Sequence, residues 1–211
     1  MPPPLRSADV LADFQSDVAR IQSTVQDSWA PHAPAHLAER PAPRKWSALD
    51  CLEHTRRANK LYMRPLTKAI ERCEAKGVRA DEHFEPGSVG LRMRAQLRPQ
   101  PGPPATDGRA RVKFKLPTVG KADPTKDATP PVQEVTLDAF DAQMEQLRAL
   151  GQRAERVDLN ARVTGFFGNV LRLRIGDVLR YLIAHTDRHL VQAERAIARA
   201  QQGGGEAERA D

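Results

Sequence analysis

The chain has 211 residues, 40% of them hydrophobic, and carries a net charge of +6. This length is enough for one domain with its own core, and no run of about 18 apolar residues occurs, so we expect a cytoplasmic protein with neither a transmembrane helix nor a signal peptide. The charge is concentrated in residues 86–121, where eight basic residues accompany one acidic residue, Asp107, so attraction to a charged partner would depend on that segment.

Apolar residues recur at three- and four-residue steps from Ser7 to about Asp27, which predicts the first helix. Ser7 stands where an N-cap is expected, because its hydroxyl can accept a hydrogen bond from the first turn. The helix should end at the proline-rich residues 31–43. His32 and His36 are four apart within that stretch, but the prolines around them favour a loop over a helix.

A second helix is predicted from Ser47 to about Glu74. Ser47 and Asp50 have the spacing of a capping box, in which each side chain bonds the backbone amide of the other. The two cysteines, Cys51 and Cys73, both fall on this helix, and a separation of roughly 33 Å excludes a disulfide between them. We therefore expect two reduced thiols in small apolar sites.

Residues 77–135 lose the helical periodicity and are rich in proline, with a short extended piece expected at residues 111–116. A connection of this length inside a compact domain needs a structural reason. A crossover between two helices that run in the same direction supplies one. We therefore interpret residues 77–135 as a long, basic crossover.

The periodicity returns in a third helix from Thr136 to about Ala154 and in a fourth, which begins between Arg174 and Asp177 and ends near Ala200. Four amphipathic helices with one long crossover predict an all-α four-helix bundle. We expect residues 1–202 to form this single domain and residues 203–211 to be a disordered tail.

Three histidines form the candidate site. His185 and His189 are four apart on the fourth helix, in register with its apolar face, so their rings lie one above the other. Together with His54 from a facing helix they would make a three-histidine metal site with an open coordination position. The alternative is that each is an ordinary buried or surface histidine with hydrogen-bonded ring nitrogens.

The pair does not match the metalloprotease motif, because Thr186 stands where that motif needs a glutamate, and Asp187 points away from the pair. Three weaker candidates lie near the predicted site. Asp50 could orient the His54 ring or only cap its helix, and Cys51 could be a fourth ligand or a packed thiol. Gln192 could hold a metal-bound water or a ring N–H.

Three segments resemble motifs of the DinB-like superfamily. Residues 45–54 resemble its helix start, where a tryptophan is followed by a histidine. Residues 171–179 lead into what resembles its closing helix, in which His-x-x-x-His is followed by glutamine at the third residue, here residues 185–192. The resemblance covers about residues 7–200, with the three histidines in the family's order and spacing.

This resemblance implies an up-down-down-up bundle and a divalent metal ion held by His54, His185 and His189. Zinc and nickel are the expected ions, because imidazole suits both. Characterised relatives include transferases and isomerases that use bacillithiol, mycothiol or glutathione, so a low-molecular-weight thiol is implied as a second cofactor. The proline-rich, basic crossover departs from the family pattern. The resemblance therefore does not decide whether this chain has the substrate pocket of the characterised relatives.

Two classes of function follow. The first is a metal-dependent thiol S-transferase or hydrolase acting on a small molecule, in which Arg57 or Arg174 could hold an anionic thiol. The second is a non-catalytic, metal-stabilised module that binds a partner through residues 86–121. We do not expect nucleic-acid binding, because this segment has one aromatic residue, Phe114, for stacking. No membrane partner is expected, and a homodimer stays an open alternative.

Overall fold

The computed structural model describes residues 3–29, 31–43, 45–97, 122–127, 129–164 and 173–207. Over these residues the fold is all-α, with two short pairs of strands beside the helices. The elements in chain order are β1 (Leu5–Arg6), α1 (Ser7–Ser23), a π-helical turn (Thr24–Trp29), α2 (Pro34–Ala38), α3 (Ala48–Ala75), β2 (His83–Phe84), α4 (Ser88–Leu97), a 3-10 turn (Pro124–Lys126), α5 (Gln133–Ala154), β3 (Arg162–Val163), β4 (Leu173–Arg174) and α6 (Ile175–Ala207).

Helix α1 begins where the sequence predicts, but Ser7 is not its N-cap. The N-cap is Arg6, and the buried Ser7 hydroxyl has no hydrogen-bond partner among the described residues. The reason is the antiparallel pairing of β1 with β2, because it places the Glu82 carbonyl 2.8 Å from the Ser7 amide. A backbone acceptor therefore satisfies this amide, and Ser7 lies inside the helix rather than before it.

The proline-rich stretch after α1 contains the short helix α2, so the prediction of a loop at His36 is wrong. Pro34 occupies the first turn, where a missing amide hydrogen costs nothing. Leu37 is completely buried, and α2 contacts both α3 and α6. Burial of this side chain stabilises a helix that is too short to form on propensity alone. His32 precedes the helix, as predicted.

Both ends of α3 are closed by specific hydrogen bonds. The predicted capping box is present, with 3.0 Å between the Ser47 Oγ and the Asp50 amide and 3.0 Å between the Asp50 Oδ2 and the Ser47 amide. At the other end Gly77 has a φ of 63°, and the Val78 amide donates to the Cys73 carbonyl over 2.9 Å. This is a Schellman motif, which glycine adopts without strain.

The predicted crossover contains a helix that the sequence analysis missed. Helix α4 has no continuous apolar stripe and includes Gly90, so its pattern is weak. It is held by α6, because the Gly87 amide donates to the buried Asp177 carboxylate and Gly90 lies against the same side chain. The extended piece predicted at residues 111–116 lies outside the described residues.

Helices α5 and α6 occupy the predicted positions with shifted ends. Helix α5 begins at Gln133 rather than Thr136, and α6 begins at Ile175 and continues to Ala207 rather than ending near Ala200. Residues 208–211 of the predicted tail lie outside the described residues.

The four long helices share one apolar core. Helix α3 contacts α5 and α6, and α1 contacts the same two helices. Among the described residues, no helix offers an apolar stretch long enough to cross a bilayer, and both cysteines are free and buried. Helix α6 contributes the completely buried Val178, Leu179 and Leu182. The largest fully buried side chains include residues of α1, α3, β2 and α5, namely Ile21, Leu49, Leu52, Leu66, Ile70, Phe84, Phe140, Met144 and Leu147.

Candidate metal centre

The three predicted histidines meet in the interior between α3 and α6. His54 comes from α3, and His185 and His189 come from consecutive turns of α6. One ligand nitrogen from each ring lies within 4.8 Å of the others, and the ring centroids are 4.5–5.3 Å apart. The residues are only 6, 7 and 8% exposed, respectively. The structure therefore brings the three predicted side chains together.

Helical geometry and packing together produce this arrangement. Leu182 and Val178 are completely buried one and two turns before His185, respectively, so the apolar face of α6 carries the histidines into the core. A buried hydrogen bond from the Asn59 amide to the Thr186 hydroxyl, 3.3 Å long, joins α3 to α6 beside the site. Together with the shared apolar core, this contact holds α3 and α6 in the register that brings His54 to the pair.

The tautomer of His54 follows from its hydrogen bond. The His54 Nδ1 lies 2.8 Å from the Ala122 carbonyl, which can only accept, so Nδ1 carries the proton and Nε2 keeps its lone pair. A backbone carbonyl behind a histidine is the usual partner of a metal-ligating ring. Ala122 lies in the crossover, and no sequence pattern points to it.

His189 has a ring nitrogen that the described residues leave unsatisfied. Its Nδ1 is buried without a hydrogen-bond partner among the described residues. The Gln192 side chain interacts with the ring and works to raise its pKa, against the larger effect of burial. A buried imidazole nitrogen without a partner is costly. A metal ion is a partner that such a nitrogen can take, so the orphaned atom fits a ligand role.

All three imidazoles favour the neutral form. Burial is the largest cause, and it lowers the pKa of His54, lowers that of His185 to about 3 and lowers that of His189 well below its ordinary value. The neighbouring positive charge of Arg188 acts in the same direction on each ring. Neutral imidazole is the state that binds metals, so the donor set fits a divalent ion near neutral pH.

Aromatic rings contact each of the three histidines. The Trp46 ring lies 4.5 Å from His54 and 5.7 Å from His189, centroid to centroid. Tyr181 stacks on His185 at 5.7 Å and also meets Tyr62 at 4.6 Å. These rings restrict the access of water to the imidazoles. Sequence analysis missed both tyrosines, because each fits the apolar pattern of its helix and carries no signal of its own.

The acidic side chains of α3 near the site are already paired. Burial works to raise the pKa of Glu53, but hydrogen bonds from Arg56 and Arg57 outweigh it and hold the pKa below its usual range. Asp50 caps α3 and accepts two hydrogen bonds from Arg40, at 2.7 and 3.0 Å. Asp50 therefore does not orient His54, and the alternative that it caps the helix is the correct one.

The other predicted candidates stay outside the cluster. Cys51 is buried, and burial raises the pKa of its thiol well above the usual value, so it packs as a neutral side chain and is not among the grouped ligands. Arg57 is engaged by Glu53 and Asp127. Arg174 bonds Glu85 and Asn160 just before α6, about three turns or more before the histidines.

Comparisons with known proteins agree with this architecture. The sequence model described as the DinB superfamily matches residues 17–193, a range that runs from α1 into α6 and includes all three histidines. No curated protein and no solved structure matches the chain.

Proposed function

Because the chain belongs to the DinB superfamily, we propose that it is a metalloprotein in which His54, His185 and His189 hold one divalent transition-metal ion. The observation that carries the proposal is the buried convergence of three neutral imidazoles, with one nitrogen from each within 4.8 Å of the others. Three protein ligands leave a coordination position for a further ligand. Zinc and nickel are the ions that this donor set suits.

A bundle of up-down-down-up topology would present the histidines in this way. Paired contacts support the directions: α3 and α6 are antiparallel, α3 and α5 are parallel, and α1 and α5 are antiparallel. Between α3 and α6 the contacts are His54 with His189 and Tyr62 with Tyr181. Between α3 and α5 they are Arg56 with Gln143 and Glu74 with Arg153. Between α1 and α5 they are Gln15 with Arg148 and Gln22 with Asp141.

The chemistry that we propose is transfer of a low-molecular-weight thiol to a small electrophile in the cytoplasm, with hydrolysis as the alternative reaction. A divalent ion held by neutral imidazoles acts as a Lewis acid and lowers the pKa of a water or thiol ligand. The chain itself holds the His54 ring in one tautomer and walls the site with Trp46 and Tyr181. Glu53 and Asp50 are both paired with arginines, so neither is available as a general base for water, and this favours the thiol.

Metal analysis tests the first part of the proposal. Purified protein is stripped with a chelator, reloaded with zinc or nickel and measured by inductively coupled plasma mass spectrometry. We expect one ion per chain in the wild type and strong loss in His54→Ala, His185→Ala and His189→Ala. His83→Ala is the matched control, because this histidine is exposed. Full occupancy in the His185→Ala variant would show that the ligands lie elsewhere.

An activity assay tests the second part. The metal-loaded protein receives glutathione, mycothiol or bacillithiol together with a chlorinated or an epoxide acceptor, and loss of free thiol is followed over time. We expect a rate that collapses on chelation and in the His189→Ala variant. A metal-loaded protein that never exceeds the uncatalysed rate would instead support a non-catalytic, metal-stabilised module.

A further inference from the structure

Arg188 is a half-buried cation that the described residues leave without a counter-ion. It lies on α6 directly before His189, and no described side chain or carbonyl forms a hydrogen bond or ion pair with it. Other arginines of the described part differ, since Arg20, Arg40 and Arg57 each bond a carboxylate. A desolvated charge without a partner is unfavourable, so an unpaired guanidinium at this depth suggests a missing ligand.

The guanidinium lies on the side of α6 that carries the site. Arg188 follows His185 by three residues and Tyr181 by seven, so helical periodicity places the three on one side of the helix. Its charge reaches across to α3 as well, since it contributes, after burial, to the lowered pKa of His54. Arg188 therefore stands beside the three-histidine cluster rather than on a separate surface.

The nearby carboxylates that could neutralise Arg188 are paired with other arginines, and the residues outside the described part contain few acidic side chains. The adjacent Asp187 bonds Arg20 over 2.8 Å, and Glu53 is held by two arginines of α3. Residues 98–121 and 165–172, which lie outside the described residues, contain seven basic side chains and a single acidic one, Asp107. A positive charge beside a cation site also opposes metal binding by simple repulsion. An external anion would relieve both costs.

We propose that Arg188 binds the carboxylate of the small molecule that enters the three-histidine site, and so selects for carboxylate-bearing thiols or electrophiles. This rests on the proposed function, since it names the substrate class of that same site. Arginine suits the role because its planar fork can donate two parallel hydrogen bonds to one carboxylate, and such charge-assisted bonds are the stronger ones.

Calorimetric titration of the zinc-loaded protein tests the assignment with two matched probes. The probes are 3-mercaptopropionate and 3-mercaptopropionamide, which share the thiol and differ in the negative charge. We expect the wild type to bind the carboxylate at least about tenfold more tightly than the amide. The Arg188→Gln variant should bind both equally, while Arg199→Gln, an exposed arginine on the same helix, should keep the wild-type preference. A preference that persists in Arg188→Gln would overturn the proposal.

Zinc content, measured on the same samples, separates this proposal from the one on which it rests. Zinc-loaded wild-type protein without a carboxylate preference would refute the role of Arg188 and leave the metal site standing. If the wild type holds no zinc, the metal proposal fails, and benzoate and benzamide are then titrated into the metal-free protein by NMR. Amide shifts around residue 188 with benzoate alone, lost in Arg188→Gln, would support the anion site. Equal or absent shifts with both probes would reject it.

Discussion

At the scale of single residues, the burial of three neutral imidazoles makes the stability of the metal-free protein depend on pH. A histidine in the unfolded chain titrates near pH 6.5, whereas the pKa of His185 in the fold is about 3. Below about pH 6.5 the unfolded state therefore takes up a proton that the folded state does not. The stability that the neutral ring contributes is present above that pH and is lost as the pH falls toward the folded pKa.

We expect the free energy of unfolding of the metal-free protein to fall by up to about 1.4 kcal/mol per pH unit for each such histidine as the pH decreases from 6.5 to 5. Urea unfolding at a series of pH values measures this slope. The slope should be smaller in His185→Gln and unchanged in His83→Gln, which alters an exposed ring. Equal slopes in all three proteins would mean that His185 is not held in the neutral form.

Single residues also show which parts of the site could be predicted from the sequence and which could not. The spacing of His185 and His189 on a helix fixes their relative position, and the capping box at Ser47 fixes the start of the helix that bears His54. The Ala122 carbonyl behind His54 could not be predicted, because any residue offers a carbonyl there. The placement of Arg188 beside the cluster likewise depends on the tertiary packing of α3 on α6.

At the scale of elements, the two serines at helix starts should respond differently to truncation. The Ser47 hydroxyl accepts the Asp50 amide at the start of α3, whereas the buried Ser7 hydroxyl of α1 has no partner among the described residues. We expect Ser47→Ala to lower the free energy of unfolding by about 1 kcal/mol. Ser7→Ala should be neutral or slightly stabilising. Urea unfolding of both variants makes the comparison, and a larger loss in Ser7→Ala would contradict it.

The contact between α4 and α6 permits a second test at this scale. A Cβ atom on Gly90 would lie 2.3 Å from the Asp177 carboxyl group, so Gly90→Ala forces one of the two helices to shift. We expect a loss of about 1–3 kcal/mol in the free energy of unfolding. In the Asp177→Ala background the same change should cost clearly less, because the 2.3 Å contacts with the carboxyl group are lost and only the contact with the Cβ at 2.7 Å remains. Additive losses in that double-mutant cycle would show that the two residues do not compete for space.

The lengths and apolar patterns of the helices explain which of them could be predicted from the sequence. Long helices with a continuous apolar stripe, such as α3 and α6, were predicted with ends shifted by a few residues. Helices α2 and α4 were missed because they are short, rich in proline or glycine, and stabilised by tertiary contacts at Leu37 and Asp177 rather than by their own pattern.

At the scale of the whole molecule, a metal ion at this site would link parts of the chain that are far apart in sequence. His54 and His189 belong to different helices, so a ligand bound by the folded state alone stabilises the entire fold. With zinc at about 100 times its dissociation constant we expect a gain of about 2.7 kcal/mol. This corresponds to a rise of about 5–10 °C in the melting temperature.

Differential scanning fluorimetry with and without zinc measures this rise. The increase should disappear with excess chelator and in the His185→Ala variant, while His83→Ala should retain it. A zinc-dependent rise of equal size in His185→Ala would place the stabilising ion at another site.

The hydrogen bond between His54 and Ala122 has a consequence for how this fold can diversify. It ties the returning end of the crossover to a metal-ligand candidate, while the Gly87 amide ties the departing end to α6 through Asp177. Because both ends are fixed on α3 and α6, a change in the length of chain between these two anchors carries only a small cost in loop-closure entropy. The two anchors separate the candidate metal centre from the stretch of chain in which length and sequence can vary, which makes the crossover a place where related chains can differ in substrate preference around the same three histidines.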